Sequence, residues 1–230
     1  MLKKTLLLVL LVLFTSFAAA EAQNSVLVFG GSGRLGSEVV TALLADDHRV
    51  TVFVRATSDR SRLADKDVDY VVGDVLVPAD VNAALESQQF DVVVDALSRG
   101  RAPAAFYERS MNHIAQAAAQ NEVRQIILHG SVGAGDSGDE SSGFSTGMKR
   151  IMDAKTAAEN SLKESGVSYT IIRNWAIKPH GTAATGMAKL VEDVSARSYV
   201  TRADLGRLTA QCLLAEPCLN KVFHAVDPSW

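Results

Sequence analysis

A Val-rich run that ends in glycines and reopens as an amphipathic segment constrains this chain more than any other feature. VLVFGGSGRLGSEVV, Val26 to Val40, holds four glycines between two apolar stretches. A strand that turns sharply into a helix sets up a crossover to a parallel neighbour, since parallel strands cannot be joined by a tight hairpin. The sequence repeats that rhythm. HRVTVFVR, VDYVVGD, FDVVVDALS, RQIILHGS and VSYTIIRN carry near-continuous Val and Ile, and helical patterns run from Arg34 to Ala45, Ala79 to Ser87, Pro103 to Gln120 and about Met148 to Glu164. Between the second and third strands stands only a polar segment around Asp59 to Asp65.

Strands apolar on both faces, each followed by a helix, predict an α/β fold with a doubly wound, mostly parallel sheet of the Rossmann type. Two segments break the rhythm. Gly133 to Gly147 is a polar loop too long for a routine connection, and such loops are usually functional or mobile. Residues Ala176 to Thr201 hold glycines and short apolar pieces, predicting a small C-terminal cap on the substrate side before a helix from Ala203 to Ala215. KVFHAV, Lys221 to Val226, reads as a last strand. At 230 residues and 47% hydrophobic, the chain fits one core, so residues 23–230 are expected to form a single domain.

Residues 1–22 read differently. Lys3 and Lys4, an apolar run from Leu6 to Phe17 and small residues around Ala20-Glu21-Ala22 have the three parts of a secretory signal peptide. The uncharged stretch at residues 5–20 is short for a span of about 20 apolar residues. A Sec-type signal and export to a periplasm or beyond the cell is the expectation, with a retained N-terminal membrane anchor as the alternative. Cys212 and Cys218 are too few for a disulfide framework or a zinc site, and their spacing alone leaves one local bond open. No metal site is expected. A net charge of −3 without a basic cluster argues against a nucleic-acid partner.

Glycines are needed in a dinucleotide turn where the strand bends, where backbone nears the pyrophosphate and where helix packs on strand. Gly30, Gly31, Gly33 and Gly36 satisfy two overlapping spacings of that kind, and the following helix would offer its free N–H groups to phosphate. An NAD site usually puts an acid at the tip of the second strand, an NADP site an arginine. VTVFVR ends in Arg55, so NADP(H) is expected in preference to NAD(H), with Arg34 a second candidate phosphate partner.

FGGSGRLG, the strand end VR, VVGDVLVPADVNAAL, DVVVDALS, QIILHGSVGAG, DAKTAAENSLKESGVSYTIIRN and TRADLGRL follow one another from Ser25 to about Leu208. In that order they resemble the atypical short-chain dehydrogenase/reductases, especially the NmrA-like NAD(P)H-binding branch that includes biliverdin and flavin reductases. The resemblance implies a phosphate loop of Gly30, Gly33 and Gly36 with contacts from Ser32, Arg34 and Leu35. It implies Asp74 and Val75 beside the adenine, Ala96, Leu97 and Ser98 along the ribose and pyrophosphate, and Trp175 with Ala176 bordering the nicotinamide. Ser131 falls at the position of a catalytic or substrate-orienting hydroxyl, and Lys155 at that of the lysine that binds the nicotinamide ribose.

One position departs from the pattern. The superfamily's proton-donating tyrosine stands four residues before that lysine, on the same helix face, and here the position holds Ile151. Ser131, His129, Ser145 and Lys155 remain as nearby donors, while Tyr107 and Tyr169 lie on other elements. Plain structural roles compete for several of these residues: an i, i+4 pair of Lys155 with Glu159, a satisfied buried His129, an Asp204 that caps a helix. The expected function is NADPH-dependent reduction of a small organic acceptor such as a flavin, quinone or conjugated carbonyl. Its alternatives are a non-catalytic NADP(H)-binding sensor or assembly factor with a protein partner, and an exported scaffold that no longer binds nucleotide.

Overall fold

The computed structural model describes residues 23–141 and 143–230. The signal or anchor read at residues 1–22 lies outside the described residues. Among the described residues, no helix is long and apolar enough to cross a membrane.

Strands β1 (Ser25–Phe29), β2 (Arg49–Val54), β3 (Asp69–Val72), β4 (Val92–Asp95), β5 (Gln125–Ser131), β6 (Ser168–Asn174) and β10 (Lys221–Val226) are parallel. With β8 (Lys189–Val191), antiparallel to β10 at the edge, they form one sheet in the order β3-β2-β1-β4-β5-β6-β10-β8. The order reverses between β1 and β4, and the crevice at the carboxyl ends of those two strands is where an open α/β sheet binds ligands.

Alternation along each strand feeds two cores. In β1, Val26 and Val28 join one buried cluster and Leu27 and Phe29 the other, as period-2 geometry requires. Helices α1 (Gly36–Ala45) and α5 (Arg202–Gln211) cover the first through Val39, Leu43, Leu205 and Leu208. Helices α2 (Pro78–Glu86), α3 (Phe106–Gln120) and α4 (Thr146–Glu164) cover the second through Val81, Leu85, Met111, Ile114 and Leu162. Each such side chain, fully buried, contributes roughly 1.5–3 kcal/mol. Gly206 sets the spacing of α1 and α5: a Cβ there would meet the Glu38 carbonyl oxygen at 2.5 Å.

Helix ends follow local chemistry. Pro78 opens α2, and Ser145 caps α4 by accepting the Met148 N–H. Thr201 caps α5: its hydroxyl oxygen accepts the Asp204 N–H at 3.0 Å and its O–H donates to the Asp204 carboxylate at 2.7 Å. Thr201 is therefore the cap, and Asp204, three residues on, holds the capping hydroxyl in place with its carboxylate. It also accepts the N–H groups of Thr185 and Gly186, tying the cap segment to α5.

One expectation is corrected and two are filled in. The Asp59–Asp65 stretch forms one short 3₁₀ turn, Ser61–Leu63, so β2 reaches β3 without a full helix. The last helix stops at Gln211, short of Ala215, because Cys212 and Cys218 are bonded and Leu214 adopts φ +51°. Buried Gln125 holds that bend, donating to Thr170 Oγ1 and the Cys212 carbonyl and accepting the Leu214 N–H. Finally, the cap segment is divided: β8 extends the main sheet, whereas β7 (Ala176–Ile177) and β9 (Tyr199–Val200) pair separately beyond the carboxyl end of β6.

Candidate functional site

At the switch point the chain turns from β1 into α1. Gly30 has φ +79°, and a Cβ on it would meet the Ala96 carbonyl oxygen at 2.7 Å, so the turn lies directly on the end of β4. A Cβ on Gly36 would meet the Gly30 carbonyl oxygen at 2.2 Å, which brings helix and strand into contact. Between them Ser32 is half-buried and Gly33 and Arg34 are exposed. Gly31 is buried against Val52, and Leu35 precedes α1 with no side-chain cap. The amino end of α1 therefore stays open beside a backbone cradle that side chains would fill. These residues fit a dinucleotide's phosphates.

Arg55 follows β2, exposed, in a turn where its N–H donates to Ser58 Oγ. The second arginine expected here has company that the sequence did not reveal. Arg202, first residue of α5, is held below the usual arginine pKa by partial burial and by the positive charge of Arg34, with Glu38 opposing. Arg34, in the turn before α1, and Arg202, first residue of α5, thus add positive charge on the same side of the cradle, and the TRADLGRL stretch had pointed only to a resemblance.

Asp74 and Val75 stand beyond β3. The Asp74 carboxylate accepts the Leu76 N–H at 2.9 Å, and the Val75 carbonyl accepts from His113 Nδ1 at 2.8 Å, so both are fixed in a turn. Ala96, Leu97 and Ser98 follow β4, where the Asp95 carboxylate accepts the Leu97 N–H at 2.8 Å. Asp95 is buried, and desolvation pushes its pKa up to about 6 against the opposing pull of that hydrogen bond and of Lys155.

Asp95, Leu97, Tyr107, His129, Lys155 and Glu159 line one small recess at this edge. Burial holds the Lys155 ammonium below the usual lysine range while Asp95 and Glu159 pull it back up. The simple Lys155–Glu159 pair is corrected: both Glu159 oxygens go to Arg173, and the Lys155 ammonium lies instead over the Tyr107 ring, 4.4 Å from its centroid. Tyr107, in the first turn of α3, is the residue that sequence reasoning left on another element.

His129 is buried, and its Nε2 meets Thr209 Oγ1 at 3.0 Å. Since the Thr209 hydroxyl donates to the Leu205 carbonyl, this assigns the proton to Nε2. Burial and the Lys155 charge push the His129 pKa down to about 4, so the ring is neutral at pH 7, and Nδ1 has no partner among the described residues. Ser131 ends β5 opposite Asn174 of β6, half-buried, and no hydrogen bond joins it to Lys155. Tyr169 is second in β6, at the opposite edge of the sheet.

Trp175 stacks on Phe144 with ring centroids 6.1 Å apart, and the Arg197 guanidinium lies 4.7 Å from its ring centroid. It thereby links the Gly133–Gly147 loop to the cap. Among the described residues, no group of three or more His, Cys, Asp or Glu side chains is placed to hold a metal ion.

The profile of the NAD(P)H-binding family matches residues 30–216. Sanguinarine reductase of Eschscholzia californica is 25% identical over 90% of this chain and 90% of its own length. The photosystem II assembly factor Ycf39 of Cyanophora paradoxa is also 25% identical over 90% of this chain, which spans 64% of that protein. Among solved structures, ChuY, an anaerobilin reductase from Escherichia coli O157:H7, superposes with a TM-score of 0.78 at 23% identity, covering 90% of this chain and 98% of its own. Glycine turn, open helix end and family profile coincide on the same residues, and the chain belongs to the NAD(P)H-binding family.

Proposed function

We propose that this protein is an NADPH-dependent oxidoreductase that reduces a small organic acceptor such as a flavin, a quinone or a conjugated carbonyl. The observation that carries the reading is the open amino end of α1 behind the Gly30–Gly36 cradle, with Arg55 at the tip of β2. Arg55 takes the 2′-phosphate, with Arg34 and Arg202 adding positive charge. Asp74 and Val75 border the adenine, and Ala96, Leu97 and Ser98 run along the ribose and pyrophosphate. Lys155 faces the nicotinamide ribose, Trp175 borders the nicotinamide, and Ser131 orients the acceptor. Bound there, the cofactor supplies two electrons and one hydrogen. Two of the three relatives described above are named reductases, which supports the same chemistry.

The Cys212–Cys218 bond supports an oxidising compartment, in keeping with the export reading of residues 1–22. Binding without turnover, as a sensor or assembly factor, is a second reading favoured by Ile151. Incubating the purified protein with NADPH and a panel of flavins, quinones and conjugated carbonyls separates the two. Consumption of NADPH dependent on one acceptor class supports the reductase. Tight binding with no consumption across the panel supports the second reading.

A further inference from the structure

Ile151 leaves the usual proton donor unfilled, and the fold brings a different phenol to the same lysine. Tyr107 enters from the first turn of α3, and Lys155 from α4; the two helices pack side by side over one core. The ammonium lies 4.4 Å from the ring centroid, and both residues line the recess at the carboxyl ends of β4 and β5. We infer that Tyr107 is the proton donor to the acceptor, with Lys155 as its charged partner, so that a tyrosine from α3 takes the role that position 151 does not fill. The assignment rests on the reductase reading above.

The neighbouring groups are worse placed for that task. His129 has a single N–H, which is engaged with Thr209. The Asp95 carboxylate is buried and bonded to the Leu97 N–H. Glu159 is wholly engaged by Arg173. Ser131 carries an aliphatic hydroxyl, a far weaker acid than a phenol. The Tyr107 ring, in contrast, is half-buried, and its hydroxyl has no partner among the described residues.

The step balances. Reduction of the acceptor takes two electrons and one hydrogen from the cofactor and one proton from Tyr107. The phenolic O–H bond breaks as the new bond to hydrogen forms on the acceptor, the phenolate left behind faces the Lys155 ammonium, and solvent returns the proton.

Tyr107→Phe keeps the ring under the ammonium and removes only the hydroxyl. In the full chain we expect kcat to fall roughly 100-fold or more, as for loss of a general acid, with NADPH affinity unchanged. A second readout needs no turnover: saturating NADP⁺ should slow nitration of Tyr107 by tetranitromethane, followed by mass spectrometry of its peptide. A Tyr107→Phe variant with wild-type kcat overturns the assignment and leaves the reductase reading standing, and so does nitration that NADP⁺ does not slow. Wild-type protein that binds NADPH yet reduces no acceptor overturns both.

Discussion

Arg173 and Glu159 form a buried two-pronged pair, with Nε to Oε1 at 3.0 Å and Nη2 to Oε2 at 2.6 Å, both side chains shut off from solvent. Asp136, more exposed, takes the remaining edge of the guanidinium at 2.5 Å and ties the loop after β5 to the pair. Removing one buried partner strands the other's charge, which costs about 3–5 kcal/mol. Arg173→Met is expected to lose that much in chemical denaturation, and Arg173→Met with Glu159→Met to recover most of it. A single variant that loses less than about 1 kcal/mol would contradict the geometry.

The glycine turn separates fold from binding. Gly36→Ala forces a Cβ to 2.2 Å from the Gly30 carbonyl oxygen, so α1 has to shift and the variant should be unstable. At Gly33 the one close neighbour among the described residues is the same oxygen at 3.0 Å, and the position faces outward. Gly33→Ala is expected to keep the thermal transition nearly intact and to lose NADPH binding by at least ~10-fold, about 1.4 kcal/mol. Fluorescence titration beside a melting curve checks both.

Asp95 makes stability depend on pH. Its pKa is about 6 in the fold and near 3.8 in the unfolded chain, so between those values the folded protein keeps a proton that the unfolded chain has lost. Its contribution is fully present below about pH 4 and is lost as pH rises through 6. Asp95→Asn should be more stable than wild type at about pH 8, by at most about 3 kcal/mol, and equal to it near pH 4. His129, pushed down to about 4, gives the opposite slope in both proteins, so the difference isolates Asp95. Denaturant unfolding at the two pH values is the measurement.

Cys212 and Cys218 are six residues apart and bonded, which restricts the unfolded chain at the end of α5. Closing so short a loop is worth about 2 kcal/mol, so a reductant should lower Tm by roughly 5 °C. Cys212→Ala with Cys218→Ala should melt at the reduced value and ignore reductant. Equal Tm with and without reductant in wild type would show that the bond is absent.

What the sequence made legible was whatever depends on neighbours along the chain. Parallel strands showed as Val-rich runs, α4 as a periodic segment from about Met148, and the phosphate turn as glycines whose spacing reflects a local backbone need. What it hid depends on residues far apart. Tyr107 meets Lys155 only because α3 and α4 pack together, and Glu159 turns from Lys155 to Arg173 only because β6 lies beneath α4. The end of α5 is set by a bond to Cys218 and by Gln125 on β5, so periodicity carried the helix too far. Asp95 read as the end of a strand, since burial is what raises its pKa.

In the proposed function the Gly30–Gly36 cradle binds NADPH with Arg55 at the 2′-phosphate. The direct measurement is a parallel titration of the protein with NADPH and NADH, following nicotinamide fluorescence, for wild type and Arg55→Ala. Wild type is expected to bind NADPH more tightly than NADH, a preference that Arg55→Ala removes while NADH binding stays unchanged. Failure of both nucleotides to bind, or an undiminished NADPH preference in Arg55→Ala, would contradict it.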